Sequence, residues 1–209
     1  MATPSIAIID YGAGNLRSVA KAFEKLGFPP LVTADPAHVL AADAVVLPGV
    51  GAAGDTMSSL SSRGMVAAIG EVIARGQPFF GVCLGLQLLF ESSEEGGADC
   101  LGLLRGKVRR LPATVKVPHM GWNEARLLRP HPVFEGVPSG SFFYFVHSYY
   151  ADPEDRALVA AETDYGATFC SAVARGNLVA TQFHPEKSGA LGLKLYENFV
   201  RLMVGAATG

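Results

Sequence analysis

One cysteine lies between two glycines in a setting that suits a nucleophile. In the segment GVCLG, residues 81–85, an apolar run ends just before the cysteine and a helix-like run begins just after it. This is the pattern of a nucleophile elbow with cysteine in place of serine. A helix N-terminus beside the sulfur favours the thiolate, the form that attacks a carbonyl carbon. The alternative is that Cys83 is a small buried core residue, as we expect for Cys100 and Cys170.

A histidine and a carboxylate two residues apart could serve that cysteine. His184 and Glu186 follow the apolar run 178–183 and enclose Pro185. Alternate residues of an extended segment point the same way, so the carboxylate can lie beside the imidazole. There it would stabilise the imidazolium that forms when the ring takes a thiol proton. The alternative is a surface turn of the same sequence.

Two further features would complete such a site. Residues 48–51, Pro-Gly-Val-Gly, follow the apolar run 44–47, and their glycines allow a backbone N–H to turn toward a developing oxyanion. A strand-ending turn would explain these glycines equally well. Gln87 lies one helical turn after Cys83, so both side chains can reach the same pocket.

Repeated strand–turn–helix units position these residues. Apolar strands are predicted at 6–9, 44–47 and 78–82, a short strand at 31–33, and helices at 16–25, 57–73 and 84–90. Continuous apolar strands that alternate with amphipathic helices are typical of a parallel sheet covered on both faces.

The pattern changes after residue 96, where strands become short and aromatic and are punctuated by proline. They are predicted at 108–111, 142–150, 158–162, 169–174 and 178–183, followed by a helix at 189–202. Gly176-Asn177 predicts a hairpin between the last two strands. The sequence therefore predicts an α/β fold, with a mostly parallel central sheet flanked by helices and antiparallel additions in the second half.

Length and composition exclude several classes of protein. The 209 residues contain no apparent linker, so we expect a single domain over 1–209. A net charge of −2 argues against nucleic acid as a partner. Three widely spaced cysteines predict neither a disulfide framework nor a zinc site, so we expect no metal and no cofactor. No apolar stretch is long enough to span a bilayer and the start does not read as a signal peptide, so we expect no membrane association and a cytoplasmic location.

Several segments together resemble a known enzyme family. Residues 81–87 and 184–186 are similar to the motifs of the class I, or triad, glutamine amidotransferases. Across almost its whole length the chain further resembles the HisH group of that family. This narrower resemblance is carried by DYGAGNL at 10–16, PGVG at 48–51, KVPHMGWN at 116–123, YFVHSYY at 144–150 and QFHPEKS at 182–188.

The resemblance implies a role for individual residues of this chain. Cys83 would be the nucleophile, His184 the base and Glu186 its partner. The oxyanion donors would lie at Gly49, Val50, Gly51 and Leu84. Glutamine would be held by Gln87, Glu95 and the backbone around His147, Ser148 and Tyr149. The residues expected to face a partner are Asn15, Trp122, Asn123, Tyr144 and Lys187.

The resemblance also implies a reaction and a partner. The chain would hydrolyse L-glutamine to glutamate and ammonia through a cysteine thioester. It would form a heterodimer with a HisF cyclase, a barrel of alternating strands and helices. The cyclase would use the ammonia to make imidazole glycerol phosphate and aminoimidazole carboxamide ribotide in histidine biosynthesis. We also expect little activity alone, with residues 48–51 misaligned until the cyclase binds its ligand.

Two other functions remain open. A class I amidotransferase subunit could serve another synthase, such as one for pyridoxal phosphate or anthranilate, although the segments 116–123 and 144–150 argue against this. The chain could also be a non-catalytic module that binds a partner, because a fold does not determine a function. Degenerate copies usually lose the nucleophile or the base, and this chain retains both Cys83 and His184.

Overall fold

A sheet of 13 strands organises the fold, which a computed structural model describes over residues 3–204 of the 209-residue chain. Numbered in chain order, its parallel strands lie side by side as β2 (Leu31–Thr33), β1 (Ile6–Ile9), β3 (Ala44–Leu47), β4 (Phe79–Val82) and β13 (Leu178–Thr181). The parallel sheet predicted from the first half is confirmed, and β13 extends it by pairing with β4. The segments that follow β4 and β13 are therefore neighbours, although they are far apart in sequence.

Both faces of the four inner parallel strands, β1, β3, β4 and β13, are buried, which explains their continuous apolar sequence. Ile6 and Ile8 belong to one apolar core, and Ala7 and Ile9 belong to a second core on the opposite face. The first core is covered by α1 (Leu16–Lys25) and α6 (Gly189–Asn198), and the second by α2 (Pro36–Ala41), α3 (Ala53–Ser62) and α4 (Met65–Ala74). Over residues 3–204, no helix has the length and apolar character needed to cross a membrane.

The helix predicted at 57–73 is two helices, so that prediction is wrong in its extent. The first of them, α3, ends at Ser62, and α4 begins at Met65. Between them Gly64 adopts φ +71°, in the left-handed region that residues with a side chain rarely occupy. The apolar periodicity continues across this break because both helices pack on the same core.

The helix that follows the cysteine is shorter than predicted. We expected a helix at 84–90, but α5 covers only Leu84–Gln87. Beyond it, the N–H groups of Leu89 and Phe90 bond to carbonyls three residues back, as in a 3-10 turn. The dipole beside the sulfur is therefore that of a single turn, and other groups must contribute to any stabilisation of a thiolate.

The second half adds antiparallel strands, as the sequence predicts. They are β5 (Ser92–Ser93), β6 (Ala98–Asp99), β7 (Gly106–Arg110), β8 (His119–Leu127), β9 (Ser141–His147), β10 (Tyr149–Pro153), β11 (Val159–Asp164) and β12 (Thr168–Arg175). The predicted hairpin is confirmed, because β12 pairs antiparallel with β13 across Gly176-Asn177. The last helix is also confirmed, although α6 passes into a π-helix at Phe199–Val204.

The second half differs from the prediction in one strand that is divided and in three strands that were not predicted, β5, β6 and β8. The strand predicted at 142–150 is divided at Ser148 into β9 and β10, which pair with different neighbours. The sequence did not predict β8, which pairs with β9. Its large apolar residues Met120 and Trp122 are exposed, so β8 lacks the buried apolar run that identified the other strands.

Parallel strands end at one edge of the sheet, where the chemically active residues follow them. Tyr11 lies just beyond β1, residues 48–51 follow β3, Cys83 follows β4, and His184 lies just beyond β13. The carboxyl ends of the strands are the usual place for a site in an open α/β sheet. The topology thus brings together residues that are far apart in sequence, from Tyr11 to His184.

Candidate active site

Cys83 lies in a strained turn between β4 and α5. Its backbone adopts φ +53° and ψ −104°, and it is the one residue other than glycine with a positive φ among residues 3–204. A Cβ on Gly81 would lie 2.7 Å from the carbonyl oxygen of Gly85, and a Cβ on Gly85 would collide with the carbonyl of Leu47. Strain of this kind persists only where the surroundings enforce it, and it is common at active sites. The turn has the geometry of a nucleophile elbow.

The sulfur of Cys83 is nearly buried between polar groups. The residue is 7% exposed. Nε2 of Gln182 donates a hydrogen bond to the sulfur over 3.5 Å, and the thiol lies 3.9 Å from the carbonyl oxygen of Val146, to which it donates. The backbone N–H of Cys83 donates to the carbonyl of Thr181 over 2.7 Å and so ties the elbow to β13.

His184 and Glu186 form the pair that their spacing predicts. Nδ1 of His184 lies 2.8 Å from Oε1 of Glu186, and the two side chains are 2% and 1% exposed, so they are not part of a surface turn. Nδ2 of Asn15 donates to Oε1 over 3.3 Å, and the hydroxyl of Tyr196 donates to Oε2 over 3.4 Å. A buried carboxylate needs such partners, and these donors hold Glu186 in position.

The electrostatics of this pair favour a charged imidazole. Burial acts to lower the pKa of His184, but interactions with Cys83 and Glu186 outweigh it and raise that pKa to about 9. Burial also opposes ionisation of Glu186, yet the hydrogen bond with His184 holds the pKa of the carboxyl below its usual range. Within residues 3–204, no group meets the distance and angle of a full hydrogen bond to the buried Nε2 of His184, but the ring interacts with Cys83, so this nitrogen is the one that can exchange a proton with the sulfur.

The segment expected to supply oxyanion donors is held by a tyrosine. The N–H of Val50 donates to the hydroxyl of Tyr11 over 3.2 Å, and that hydroxyl lies 3.4 Å from the carbonyl oxygen of Val50. A Cβ on Gly49 would lie 2.5 Å from Cβ of Leu84, so this glycine lets the segment pack against the elbow. Because the N–H of Val50 is already in use, it can reach an oxyanion only after its bond to Tyr11 breaks.

A pocket of about 230 Å³ opens beside the sulfur. It is lined by Val50, Gly51, Cys83, Leu84, Gln87, Glu95, Val146, His147, Ser148 and Tyr149. All the predicted glutamine-binding residues are present, and so are the predicted oxyanion residues apart from Gly49. Pockets for drug-sized ligands are roughly 300–1,000 Å³, so this volume indicates a smaller molecule.

The two side chains predicted to hold glutamine are themselves anchored. Nε2 of Gln87 donates to the carbonyl oxygen of Tyr149 over 2.8 Å and to Oε1 of Gln182 over 3.1 Å. Both N–H groups of this amide are thus used, and its Oε1 is the atom left to serve a ligand. Oε2 of Glu95 accepts from the N–H of Ala53 over 2.9 Å, which fixes that carboxylate at the start of α3.

A buried pair of histidines supports the pocket wall. Nδ1 of His119 and Nε2 of His147 are 2.9 Å apart, and Nδ1 of His147 lies 2.9 Å from the carbonyl oxygen of Tyr149. A carbonyl only accepts, so His147 donates from Nδ1 and accepts at Nε2 from His119. Burial lowers the pKa of His147 to about 3 and that of His119 to about 4, so both rings are neutral at pH 7.

Three of the five residues expected to face a partner lie together on the surface. Trp122 and Tyr144 are cross-strand neighbours with ring centroids 6.2 Å apart, and the ammonium of Lys187 lies 5.7 Å from the centre of the Tyr144 ring. Trp122 is 55% exposed, so it is not a core residue. Asn123 instead bonds to His119 and to the carbonyl of Asp164, and Asn15 bonds to Glu186.

Sequence reasoning missed three residues that contact this site. Gln182 could have been noticed, because it is a polar residue inside an apolar strand and shares the alternation of His184. Tyr11 lies in the segment DYGAGNL at 10–16, but nothing in that segment indicated that its hydroxyl would contact residues 48–51. Tyr196 carried no local signal, because its place on α6 is that of an ordinary core aromatic.

Comparison with known proteins agrees with this geometry. The model of the family described as "Glutamine amidotransferase class-I" matches residues 7–203. The chain is 55% identical over 201 residues to a protein of Dehalococcoides mccartyi, with 96% of this chain and 98% of that protein covered. It is 56% identical over 199 residues to a protein of Moorella thermoacetica, with 95% of each covered. Both relatives are named imidazole glycerol phosphate synthase subunit HisH. A solved chain of PurLQS from Thermotoga maritima shares the fold, with a TM-score of 0.75 at 19% identity over 96% of this chain and 99% of that one.

The fold, the site and the family match together define the class of this protein. The chain belongs to the class I glutamine amidotransferase family. Within that family it belongs to the HisH group, since its identity to the HisH relatives exceeds half over nearly the full length of both chains.

Proposed function

We propose that the chain is the glutaminase subunit of imidazole glycerol phosphate synthase. It hydrolyses L-glutamine and supplies the ammonia to a HisF cyclase. The observation that carries this proposal is the buried His184–Glu186 pair, 2.8 Å apart, at the sheet edge where Cys83 occupies a strained elbow. The names of the HisH relatives support the synthase that we assign.

The proposed reaction uses the three residues in sequence. His184 takes the thiol proton to form a thiolate–imidazolium pair, and the sulfur of Cys83 then attacks the carboxamide carbon of glutamine. The imidazolium, stabilised by Glu186, gives a proton to the nitrogen as the C–N bond breaks and ammonia leaves. Water then attacks the thioester as His184 accepts one of its protons, and the C–S bond breaks with its electron pair returning to the sulfur. His184 gives the proton back to the sulfur, and the γ-carboxylic acid of glutamate leaves and ionises. Atoms and charge balance with glutamine and water as the sole reactants.

The proposed partner surface lies on β8 and β9. One face of this strand pair exposes Met120, Trp122 and Phe142, which are 62%, 55% and 53% exposed. Large exposed side chains on one face of a strand pair are typical of an interaction site. We expect the HisF cyclase to cover this face and to contact Tyr144 and Lys187, which lie beside Trp122.

The proposed regulation acts on Val50. A glutaminase that worked without its partner would waste glutamine, and the N–H of Val50 is held by Tyr11 instead of facing a ligand. We expect the cyclase, once its own ligand is bound, to favour a conformation in which this peptide turns toward the pocket. Gly49 and Gly51 on either side allow such a rotation at low steric cost.

The deciding experiment measures glutamate release from L-glutamine by the chain alone and with a HisF cyclase that carries its ribulosyl phosphate ligand. We expect a large rise with the loaded cyclase that Cys83→Ala abolishes. Cys100→Ala is the matched control, because Cys100 lies outside the pocket. Unchanged activity in Cys83→Ala would exclude the proposed nucleophile. Association with an anthranilate-type synthase in place of the cyclase would overturn the proposed acceptor.

A further inference from the structure

The sulfur of Cys83 has a hydrogen-bond donor that belongs to none of the three residues used above. Nε2 of Gln182 lies 3.5 Å from Sγ, within the range of hydrogen bonds to sulfur. Gln182 is 0% exposed and lies in the segment that joins β13 to His184. Burying an amide costs free energy unless its polar atoms have hydrogen-bond partners. The partners of Gln182 therefore determine how its side chain is oriented.

A chain of hydrogen bonds determines which end of Gln182 faces the sulfur. The carbonyl oxygen of Tyr149 can only accept, so Gln87 must present its Nε2 to it. The same Nε2 donates its second hydrogen to Oε1 of Gln182 over 3.1 Å. Oε1 is thereby turned away from the sulfur and Nε2 is turned toward it. The reverse orientation of Gln182 would bring two donor nitrogens together.

We infer that Gln182 is a further catalytic residue, whose side-chain N–H stabilises the negative charge on the sulfur of Cys83. Gln87 is a positioning residue in this respect, because it acts on the sulfur through Gln182. The inference rests on the proposed glutaminase function. Such a donor is needed here because α5 is a single turn, so its helix dipole stabilises a negative charge on the sulfur only weakly.

The donor acts at both ends of the reaction. In the thiolate–imidazolium pair that precedes attack, the N–H of Gln182 stabilises the anionic sulfur and so favours that form over the thiol. During attack the electron pair of the sulfur forms the C–S bond and this charge disappears. When water has added to the thioester, the C–S bond breaks and its electron pair returns to the sulfur, where the same N–H stabilises the leaving group. Gln182 transfers no proton in either step.

Other groups also act on this sulfur and must be kept constant in a test. His184 and Tyr11 interact with it electrostatically, and Glu95 and His147 line the same pocket. A substitution of Gln182 keeps all four of these side chains in the sequence. Ser171→Ala is a matched control: the Ser171 carbonyl accepts the backbone N–H of Gln182 over 2.8 Å, while its buried hydroxyl has no partner within residues 3–204.

The test measures the rate at which iodoacetamide alkylates Cys83 in the full chain as a function of pH, followed on the Cys83 peptide by mass spectrometry. That peptide separates the signal from Cys100 and Cys170. In Gln182→Met we expect the midpoint of the pH profile to rise by about one unit and the rate at neutral pH to fall about tenfold. Gln87→Met should shift it less, and Ser171→Ala should not shift it.

A second variant keeps the inference testable if Gln182→Met fails to fold. Gln182→Asn keeps a buried amide but is one methylene shorter, so it cannot reach both Gln87 and the sulfur, and we expect an upward shift of the midpoint in this variant too. An unchanged midpoint in the folded Asn variant, or in both variants, would overturn the role of Gln182. Alkylation needs no glutamine hydrolysis, so failure of the proposed function would be recognised separately, as a wild-type chain inactive with the loaded cyclase.

Discussion

The backbone N–H of His184 donates to the carbonyl oxygen of Tyr144 over 2.9 Å. One residue of the exposed β8–β9 face is therefore bonded directly to the proposed base. Tyr144 presents its ring to Trp122 and Lys187 on the surface while its carbonyl holds the backbone of His184. The N–H of Tyr144 donates to the hydroxyl oxygen of Ser188 over 3.0 Å, and that hydroxyl donates to the carbonyl oxygen of His184 over 2.6 Å. A partner seated on this face would contact the structure that positions the base.

Tyr11→Phe should raise the activity of the chain without its partner. The substitution removes the hydroxyl that binds the N–H of Val50 and leaves the buried ring in place. One neutral hydrogen bond contributes about 0.5–1.5 kcal/mol, so we expect a rise of roughly two- to tenfold in basal glutamate release. The measurement is steady-state glutaminase activity of the isolated chain. A lower basal activity with normal folding would show that Tyr11 does not restrain this segment.

Trp122→Ala should weaken binding of the cyclase without destabilising the chain. The side chain is half exposed and packs edge-on against Tyr144, while large aromatic residues often dominate the binding energy of an interface. We expect a Kd at least about tenfold higher by titration calorimetry, which corresponds to about 1.4 kcal/mol. Val32→Ala on the outer strand β2 is the control, because Val32 is also exposed, at 39%. Equal losses in both variants would contradict a specific role for the β8–β9 face.

Asn15→Ala should lower the rate of glutamine hydrolysis even when the cyclase is saturating. Asn15 was expected to face the partner, but its amide donates to Glu186, so its loss leaves a buried carboxylate with one donor fewer. We expect a fall in kcat of roughly ten- to hundredfold, since hydrogen bonds to charged groups are worth about 1.5–3 kcal/mol. Tyr196→Phe tests the other carboxylate oxygen and should act in the same direction. If Asn15→Ala changed only the Kd for the cyclase and left kcat unaltered, Asn15 would be a partner-facing residue, as the sequence analysis expected.

The chain should lose stability in acid through its buried neutral histidines. Burial lowers the folded-state pKa of His147 to about 3 and that of His119 to about 4, below the value of about 6.5 in an unfolded chain. As the pH falls below 6.5, the unfolded state binds protons that the folded state does not. Each histidine then costs up to about 1.4 kcal/mol of stability per pH unit. His119→Gln should reduce this slope between pH 6.5 and pH 4 in urea unfolding. An unchanged slope would mean that His119 is not neutral in the fold.

His184 should contribute stability in the opposite pH direction. Its folded-state pKa is raised to about 9, so its contribution is present below pH 6.5 and is lost as the pH rises through 9. The difference in unfolding free energy between the wild type and His184→Gln should therefore shrink between pH 6.5 and pH 9. Urea unfolding across that range measures it, and a difference that grows with pH would show that the imidazole is not charged in the fold.

The local parts of the site could be predicted from the sequence because they depend on neighbours along the chain. The elbow at Cys83 needs glycines within two residues, and the His184–Glu186 contact needs only an alternation of two in an extended segment. The buried parallel strands and the β12–β13 hairpin were recognised for the same reason. The break at Gly64 was missed because apolar periodicity does not reveal where a helix stops when both halves face one core.

Contacts between distant segments were decided only by the tertiary structure. Asn15 and Glu186 are 171 residues apart, and Gln182 and Cys83 are 99 apart, so no local pattern could pair them. They meet because β13 enters the sheet beside β4 and because α1 and α6 pack on the same face. By itself, the sequence determined which residues could do chemistry, since that depends on side-chain type and short spacing. Packing decided which buried polar atoms found partners, because a hydrogen bond to water that is lost on burial can be replaced only by a group that the fold brings within reach.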